Sequence, residues 1–114
     1  MTIQALIQQL NQAPVDFKTV IATIDAEYNF TPCGFKNGET YNQTNTNNGS
    51  CKIFSFAKLN NLTEQATLNA FGDFYLIDVL KNPQGDDHQN IRNFIRFGWK
   101  GIEFEGQALT LKSA

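Results

Sequence analysis

The residues best suited to chemistry stand in the stretch PQGDDHQNIRNFIRFGW, residues 83–99. It holds the chain's one histidine, His88, directly after Asp86 and Asp87. A histidine beside a carboxylate can act as a general base, because the carboxylate orients the imidazole and stabilises its protonated form. The same stretch also fits a helix start with Asp86 at the N-cap, since an acid at the N-cap and acids near the positive end of the helix dipole are favourable.

A candidate nucleophile occurs in the sequence Gly49-Ser50-Cys51. Ser50 is predicted to cap a helix over residues 51–61, which places Cys51 in its first turn. A helix N-terminus lowers the pKa of a thiol because the dipole stabilises the thiolate, and Lys52 adds positive charge.

Cys51, His88 and either Asp87 or Asp86 supply the residue types of a Cys-His hydrolase, in papain-like order. Two structural interpretations compete with that hypothesis. The helix after Cys51 is strongly apolar, which favours a buried and inert thiol. His88 continues through positions 91, 95 and 99 along one apolar stripe, so it also fits a histidine at the edge of the core that bonds a nearby carbonyl or carboxylate.

A zinc site could draw on Cys33, Cys51, His88 and Asp87, which are residue types that zinc accepts. No local spacing such as CxxC supports that grouping. The sequence therefore predicts no metal and no cofactor.

Cationic side chains at Arg92, Arg96 and Lys100 lie four residues apart and form a basic stripe beside the apolar one. A solvated helix face is one interpretation, and a docking surface for an acidic partner is the other. Trp99 stands between Gly98 and Gly101, where it can anchor a helix–strand corner or contribute to binding.

Hydrophobic periodicity predicts about five helices to position these residues. Asp16 is the predicted cap of the second helix, Thr63 caps the fourth, and Gly72 inside the fourth suggests close packing. The predicted ranges are 2–12, 17–28, 51–61, 64–82 and 87–99.

Short strands are predicted in residues 30–41 and 102–112, the latter with Gly106 as the turn. Residues 42–50, NQTNTNNGS, are predicted to form a polar loop. About five helices with a small sheet of short strands make an α+β domain.

The whole chain sets further limits. Its 114 residues, with ten phenylalanines, predict a single packed domain over residues 1–114 and a monomer. The net charge of −2 argues against general nucleic-acid binding. No apolar run approaches the roughly 20 residues that span a bilayer, and the N-terminus lacks a Sec signal. Two isolated cysteines fit a reducing bacterial cytoplasm.

Four motifs occur in order: FTPxxFxNG (30–38), NxGSCKIFxFAxL (47–59), GDDHxNIRxF (85–94) and GWxGIxFEGxxL (98–109). Together they resemble the HopJ family, named for an effector that a plant-pathogenic bacterium delivers through type III secretion. The resemblance spans nearly the whole chain. The resemblance implies a small bacterial protein of the type III effector kind. It implies no reaction and no catalytic residue.

The N-terminus fits that implication in part. It has Ile3, no acid before Asp16 and many glutamines, as polar and acid-poor type III leaders do. The same residues also form an amphipathic helix of the fold. Two hypotheses of function follow: a HopJ-like effector that binds a host or bacterial protein, and a cytosolic Cys-His hydrolase with Cys51 as nucleophile and His88 as base.

Overall fold

The computed structural model describes residues 1–112. The chain begins with two helices, and each helix starts at a residue whose side chain caps it. Helix α1 (Ile3–Leu10) follows Thr2, whose hydroxyl accepts a hydrogen bond from the first turn. Helix α2 (Phe17–Glu27) follows Asp16, whose carboxylate accepts one in the same way, as predicted. Both caps bind N–H groups that have no partner within the helix, so each start is determined locally.

The other helical elements follow at intervals along the chain. They are α3 (Asn48–Leu59), α4 (Glu64–Asn69), a π-helix (Phe74–Val79), α5 (Gln89–Phe97) and a 3-10 helix (Gly98–Gly101). The strands are β1 (Tyr28–Phe30), β2 (Phe35–Asn37), β3 (Thr40–Asn42), β4 (Ile102–Phe104) and β5 (Leu109–Leu111). Helices packed on short antiparallel strands make an α+β fold, which confirms the predicted class.

The strands form two small sheets. In one, β1 pairs with β5, and in the other β2 lies between β3 and β4, with Phe35 opposite both Asn42 and Phe104. The strands on either side of Gly106 therefore belong to different sheets and do not pair with each other. Each pairs with a strand from the chain that follows α2, so the C-terminal segment contributes to both sheets.

Four phenylalanine rings form the centre of the core. The Phe54 ring on α3 lies 6.2 Å from Phe35, 5.4 Å from Phe71 and 5.0 Å from Phe94, measured between centroids. All four are buried, and complete burial of one such side chain contributes about 1.5–3 kcal/mol. These contacts join α3 and α5 to the central strand β2.

Two predicted helix starts are wrong for the same physical reason. Helix α3 begins after Asn47 rather than at a Ser50 cap. Helix α5 begins after His88 rather than at an Asp86 cap. Asn47 and His88 adopt left-handed backbone angles, with φ of 50° and 49°, and neither side chain caps its helix. A left-handed residue leaves no trace in hydrophobic periodicity, so the period alone could not locate these starts.

The predicted helix over residues 64–82 is interrupted at Gly72. Thr63 caps its first part as predicted, but Gly72 has a φ of +58°. A Cβ atom at Gly72 would lie 2.7 Å from the Val15 carbonyl oxygen. The predicted close packing is thus present, against the chain that enters α2, and it ends α4 before the π-helix begins.

The buried face of α5 also differs from the predicted stripe. Ile91 is buried, but Ile95 is 46% exposed, and Trp99 lies beyond the helix in the 3-10 turn. Asn90 and Asn93 are buried instead. Their amides have hydrogen-bond partners on the neighbouring strands, so this face of the helix turns inward although it is less apolar.

Candidate functional site

One cavity, of about 400 Å³, lies where the N-terminal ends of α3 and α5 approach the π-helix. We call it the α3–α5 cleft. Its lining residues are Phe17, Thr40, Asn47, Gly49, Ser50, Phe71, Phe74, His88, Gln89, Asn90 and Ile91. His88 is the one predicted site residue among them. Two of the sequence motifs, those around residues 47–59 and 85–94, therefore meet in this cleft.

His88 is held by a carboxylate that the sequence did not identify. Its Nε2 lies 3.0 Å from Asp78 Oδ2 and 4.0 Å from Asp87 Oδ2. On its other side the Phe74 ring lies 5.1 Å away between centroids, tilted by 34°. The prediction of a core-edge histidine that bonds a carboxylate is confirmed. Asp78 could not be foreseen, because it faces His88 only through the turn between the π-helix and α5.

The Asp87 carboxylate forms its shortest contact with Arg92, not with His88. The Arg92 guanidinium contacts Asp87 Oδ1 at 2.5 Å and donates to the carbonyl oxygens of Asp87 and Asn82 at 2.6 and 2.8 Å. Its hydrogen bond to the carboxylate holds the pKa of Asp87 below its usual value. Arg92 thus fastens the turn before α5 rather than presenting a free cation.

The structure does not bring Cys51 to His88. Cys51 is 1% exposed and does not line the cleft, although the neighbouring Ser50 does; its Sγ lies 3.8 Å from the Cys33 carbonyl oxygen. Burial, and next the neighbouring Cys33 thiol, raise the pKa of Cys51 to about 11. The expectation of a lowered pKa is wrong, because desolvation of the thiolate outweighs the helix N-terminus.

The four residues considered for zinc separate into two pairs. Cys33 lies beside Cys51, and His88 lies beside Asp87. Across residues 1–112 no three side chains of the metal-binding types are grouped closely enough to hold an ion.

Buried asparagines support the wall of the cleft. The Asn90 and Asn42 amides bond each other reciprocally at 3.0 Å, and Asn37 donates to Asn90 Oδ1 at 3.0 Å. Asn47 donates to Asn42 Oδ1 at 2.7 Å. The network ties β2 and β3 to both helix starts. Asparagine is usually exposed, so nothing in the sequence identified these positions as core.

The remaining binding candidates lie away from the cleft. Arg96 is exposed and contacts Glu39 at 3.4 Å, while Lys100 lines a shallow depression beside it. Trp99 donates from Nε1 to the Leu62 carbonyl oxygen at 3.2 Å, and its ring packs edge-on against Phe94 at 5.0 Å. Trp99 therefore anchors the helix–strand corner, as one of the two interpretations held.

The cleft combines polar groups with an aromatic wall but lacks a paired nucleophile and base. Ser50 also lines it, yet within the described residues 1–112 no hydrogen bond joins Ser50 to His88. What the cleft offers is a place for a side chain or small group to enter beside His88 and Phe74.

Comparison with known proteins gives a family and a close structural match. The family model described as HopJ type III effector protein matches residues 3–109. The crystal structure of a protein of unknown function, VPA0580, is 52% identical in sequence and superposes with a TM-score of 0.95. The match covers 98% of this chain and 95% of that one. No curated protein matches. Among residues 1–112 no helix is long and apolar enough to cross a membrane.

Proposed function

Because the chain belongs to the HopJ type III effector protein family, we propose that it is an effector-like protein that acts by binding another protein. One observation carries the proposal: the short segment 74–80 exposes four large apolar side chains. Phe74, Leu76, Ile77 and Leu80 are 39%, 42%, 42% and 47% exposed. We call these four residues the apolar surface.

The π-helix explains why the side chains of the apolar surface remain exposed to solvent. Tyr75 and Val79 are buried and fix the π-helix to the core. The helix is widened, with six residues in the π conformation, and π-helical turns are rare and occur often at functional sites. Clustered apolar side chains of this size on a small domain indicate a contact surface for another molecule.

The apolar surface continues into the α3–α5 cleft. Phe74 belongs to both, since it is exposed at the surface and lines the cavity beside His88. A partner that covers the surface can insert one side chain into the cleft. Interfaces gain most of their affinity from such central, desolvated anchors.

The binding proposal is tested with a double substitution, Ile77→Lys with Leu80→Lys, which places charge on the exposed surface and leaves the buried residues unchanged. Leu111→Lys is the matched control, because Leu111 is also exposed, at 63%, and lies on β5. Tagged proteins are used to isolate complexes from the producing bacterium and from host extract. We expect a partner that binds the original chain and the Leu111→Lys variant but not the double variant.

Two results would contradict this proposal. Recovery of the same proteins with all three chains would show that the apolar surface does not contribute. Sedimentation showing that the isolated chain forms a dimer through Ile77 and Leu80 would assign the surface to self-association.

Secretion is tested separately with a reporter fused to residues 1–30. We expect a type III-competent strain to translocate it, and not to translocate the same reporter fused to residues 85–112. In the folded chain Leu6 and Leu10 are completely buried, so the N-terminal residues must leave the core before export. Absence of transfer would exclude secretion through this leader and would leave the binding proposal standing.

A further inference from the structure

A second cavity, independent of the apolar surface, lies between the C-terminal half of α3 and the connection from β4 to β5. Its volume is about 460 Å³, within the range of small-molecule sites. We call it the Ser55 groove. It is lined by Ser55, Lys58, Leu59, Phe104, Gly106, Gln107, Ala108 and Leu109.

At its base the Ser55 side chain has an unmet hydrogen-bonding requirement. Ser55 is 7% exposed, and its Oγ has no hydrogen-bond partner among residues 1–112. The hydroxyl lies near enough to Cys51 to offset part of the rise in that thiol's pKa, but it makes no well-formed hydrogen bond there. A buried hydroxyl left unpaired is unfavourable, and the Ser55 Oγ is almost completely covered, so a ligand group that displaces the atoms over it gains a bond that the protein does not supply.

At the rim of the groove stands an available cation. Lys58 is exposed, its Nζ lies 5.6 Å from the centre of the Phe104 ring, and no carboxylate of the described chain forms an ion pair with it. The nearby Glu105 carboxylate instead accepts a hydrogen bond from the Tyr41 hydroxyl at 2.7 Å. Lys58 follows Ser55 by three residues, so both groups lie on the same face of α3.

The walls of the groove are apolar. Leu59 is 48% exposed, Phe104 is half-buried, and Leu109 closes the far side. The one polar side chain of the connecting turn that lines the groove, Gln107, is folded back, with Nε2 donating to the Leu109 carbonyl oxygen at 3.1 Å.

From this arrangement we propose that the Ser55 groove binds a linear alkyl carboxylate. The carboxylate accepts hydrogen bonds from the Lys58 ammonium and the Ser55 hydroxyl, and the alkyl chain lies against Leu59, Phe104 and Leu109. A charge at the rim, a hydroxyl at the base and apolar walls match a ligand with one anionic end and an unbranched apolar body.

The test is a titration of the ¹⁵N-labelled chain with decanoate, followed by backbone amide shifts. We expect saturable shifts confined to residues 55–59 and 104–109. Ser55→Ala is expected to weaken decanoate binding about tenfold, since a hydrogen bond to a charged group is lost. The variant should remain folded, because replacing an unpaired hydroxyl by hydrogen removes no contact that the protein itself makes.

Lys58→Met is expected to weaken decanoate binding about fivefold, because the ion pair made by an exposed cation contributes only modestly to affinity. Its matched control is Lys18→Met, an exposed lysine on α2 outside the groove, which should bind decanoate as the original chain does. Decanol should bind the original and Lys58→Met chains equally. Decanoate shifts that do not saturate, or an affinity that Lys58→Met leaves unchanged, would overturn the proposal. A decanol affinity that falls as far as the decanoate affinity would overturn the carboxylate assignment, because Lys58 would then act by packing and not by charge.

Discussion

At the scale of single residues, burial decides what Cys51 can do. Its thiol is enclosed and its pKa is raised to about 11, so at neutral pH it is protonated and inaccessible. A cysteine nucleophile acts as a thiolate, and the base that would generate it, His88, bonds Asp78 instead. The geometry supports a structural role for Cys51.

This environment makes stability depend on alkaline pH. Because the folded pKa of Cys51 lies above its ordinary value, near 9, the thiol's contribution is complete below pH 9 and is lost as the pH rises toward 11. We expect the loss to reach roughly 2–3 kcal/mol. The measurement compares the free energy of unfolding of the original chain with that of Cys51→Ala from pH 8 to pH 11, because the Cys33 thiol contributes to the raised pKa and has to be present.

The difference in the free energy of unfolding between the two chains should be constant up to pH 9 and should shrink above it. As a control at pH 8, Cys51 in the Cys33→Ser chain should react with iodoacetamide only after denaturation, with or without His88→Ala. Rapid alkylation of the folded chain that slows when His88 is removed would contradict the structural role and restore the Cys-His hypothesis.

Asn90 should be among the most sensitive polar residues. Asn90→Ala removes one of the two acceptors of the Asn37 amide and both bonds to Asn42, and leaves the Asn42 amide nitrogen with only a long bond, of 3.4 Å, to the Phe35 carbonyl oxygen. We expect a loss of about 3 kcal/mol in the free energy of unfolding. Urea denaturation measures it, with Asn11→Ala, an exposed asparagine at the end of α1, as the control. Equal midpoints for the two variants would show that the network contributes little.

At the scale of elements, one backbone position separates α4 from the π-helix. Gly72 lies in the left-handed region, against the backbone of Val15 and Phe17. The interruption is what allows Phe71 to turn into the core while Phe74 and Ile77 face outward. The proposed contact surface therefore depends on this glycine.

Gly72→Ala is expected to lower the free energy of unfolding by about 2–4 kcal/mol, through the left-handed angle and the contact with the Val15 carbonyl. Thermal and urea denaturation would check it. Gly106→Ala is the control, since a Cβ there meets nothing closer than Cys33 Cβ at 3.7 Å. A Gly72→Ala chain as stable as the Gly106→Ala chain would mean that the break is not constrained.

At the scale of the whole molecule, α1 is part of the body of the protein. Leu6 and Leu10 are completely buried, and Asn69 of α4 donates to the Leu10 carbonyl oxygen at 2.8 Å. The radius of gyration, 13.2 Å, agrees with the value of about 13 Å expected for a compact chain of this length. Secretion through this segment, as proposed, would therefore require α1 to leave a packed structure.

Leu10→Ala is expected to cost 2–5 kcal/mol, roughly, because it leaves a cavity under α1. The change should be visible far from the substitution, since urea unfolding followed by Trp99 fluorescence should show one transition at a lower midpoint. Gln9→Ala, on the exposed face of the same helix, should change stability by less than about 0.5 kcal/mol. An unchanged Trp99 midpoint in Leu10→Ala would mean that α1 unfolds separately from the rest.

By itself the sequence determined the features that depend on neighbouring residues. The periods of α1 and α2, the caps at Asp16 and Thr63, and the α+β class were all predicted from spacing and local chemistry. The four motifs indicated the family as well, because each is a run of neighbouring residues that can be recognised without knowledge of its contacts.

Tertiary structure decided the rest, because it depends on contacts between distant residues. The pairing of His88 with Asp78, the burial of Asn90 and the left-handed starts at Asn47 and His88 require particular partners in space. The same holds for Cys51: a helix start favours the thiolate by a local dipole, but enclosure by the folded chain removes the water that a charge needs. That desolvation is the larger effect, and no local pattern reveals it.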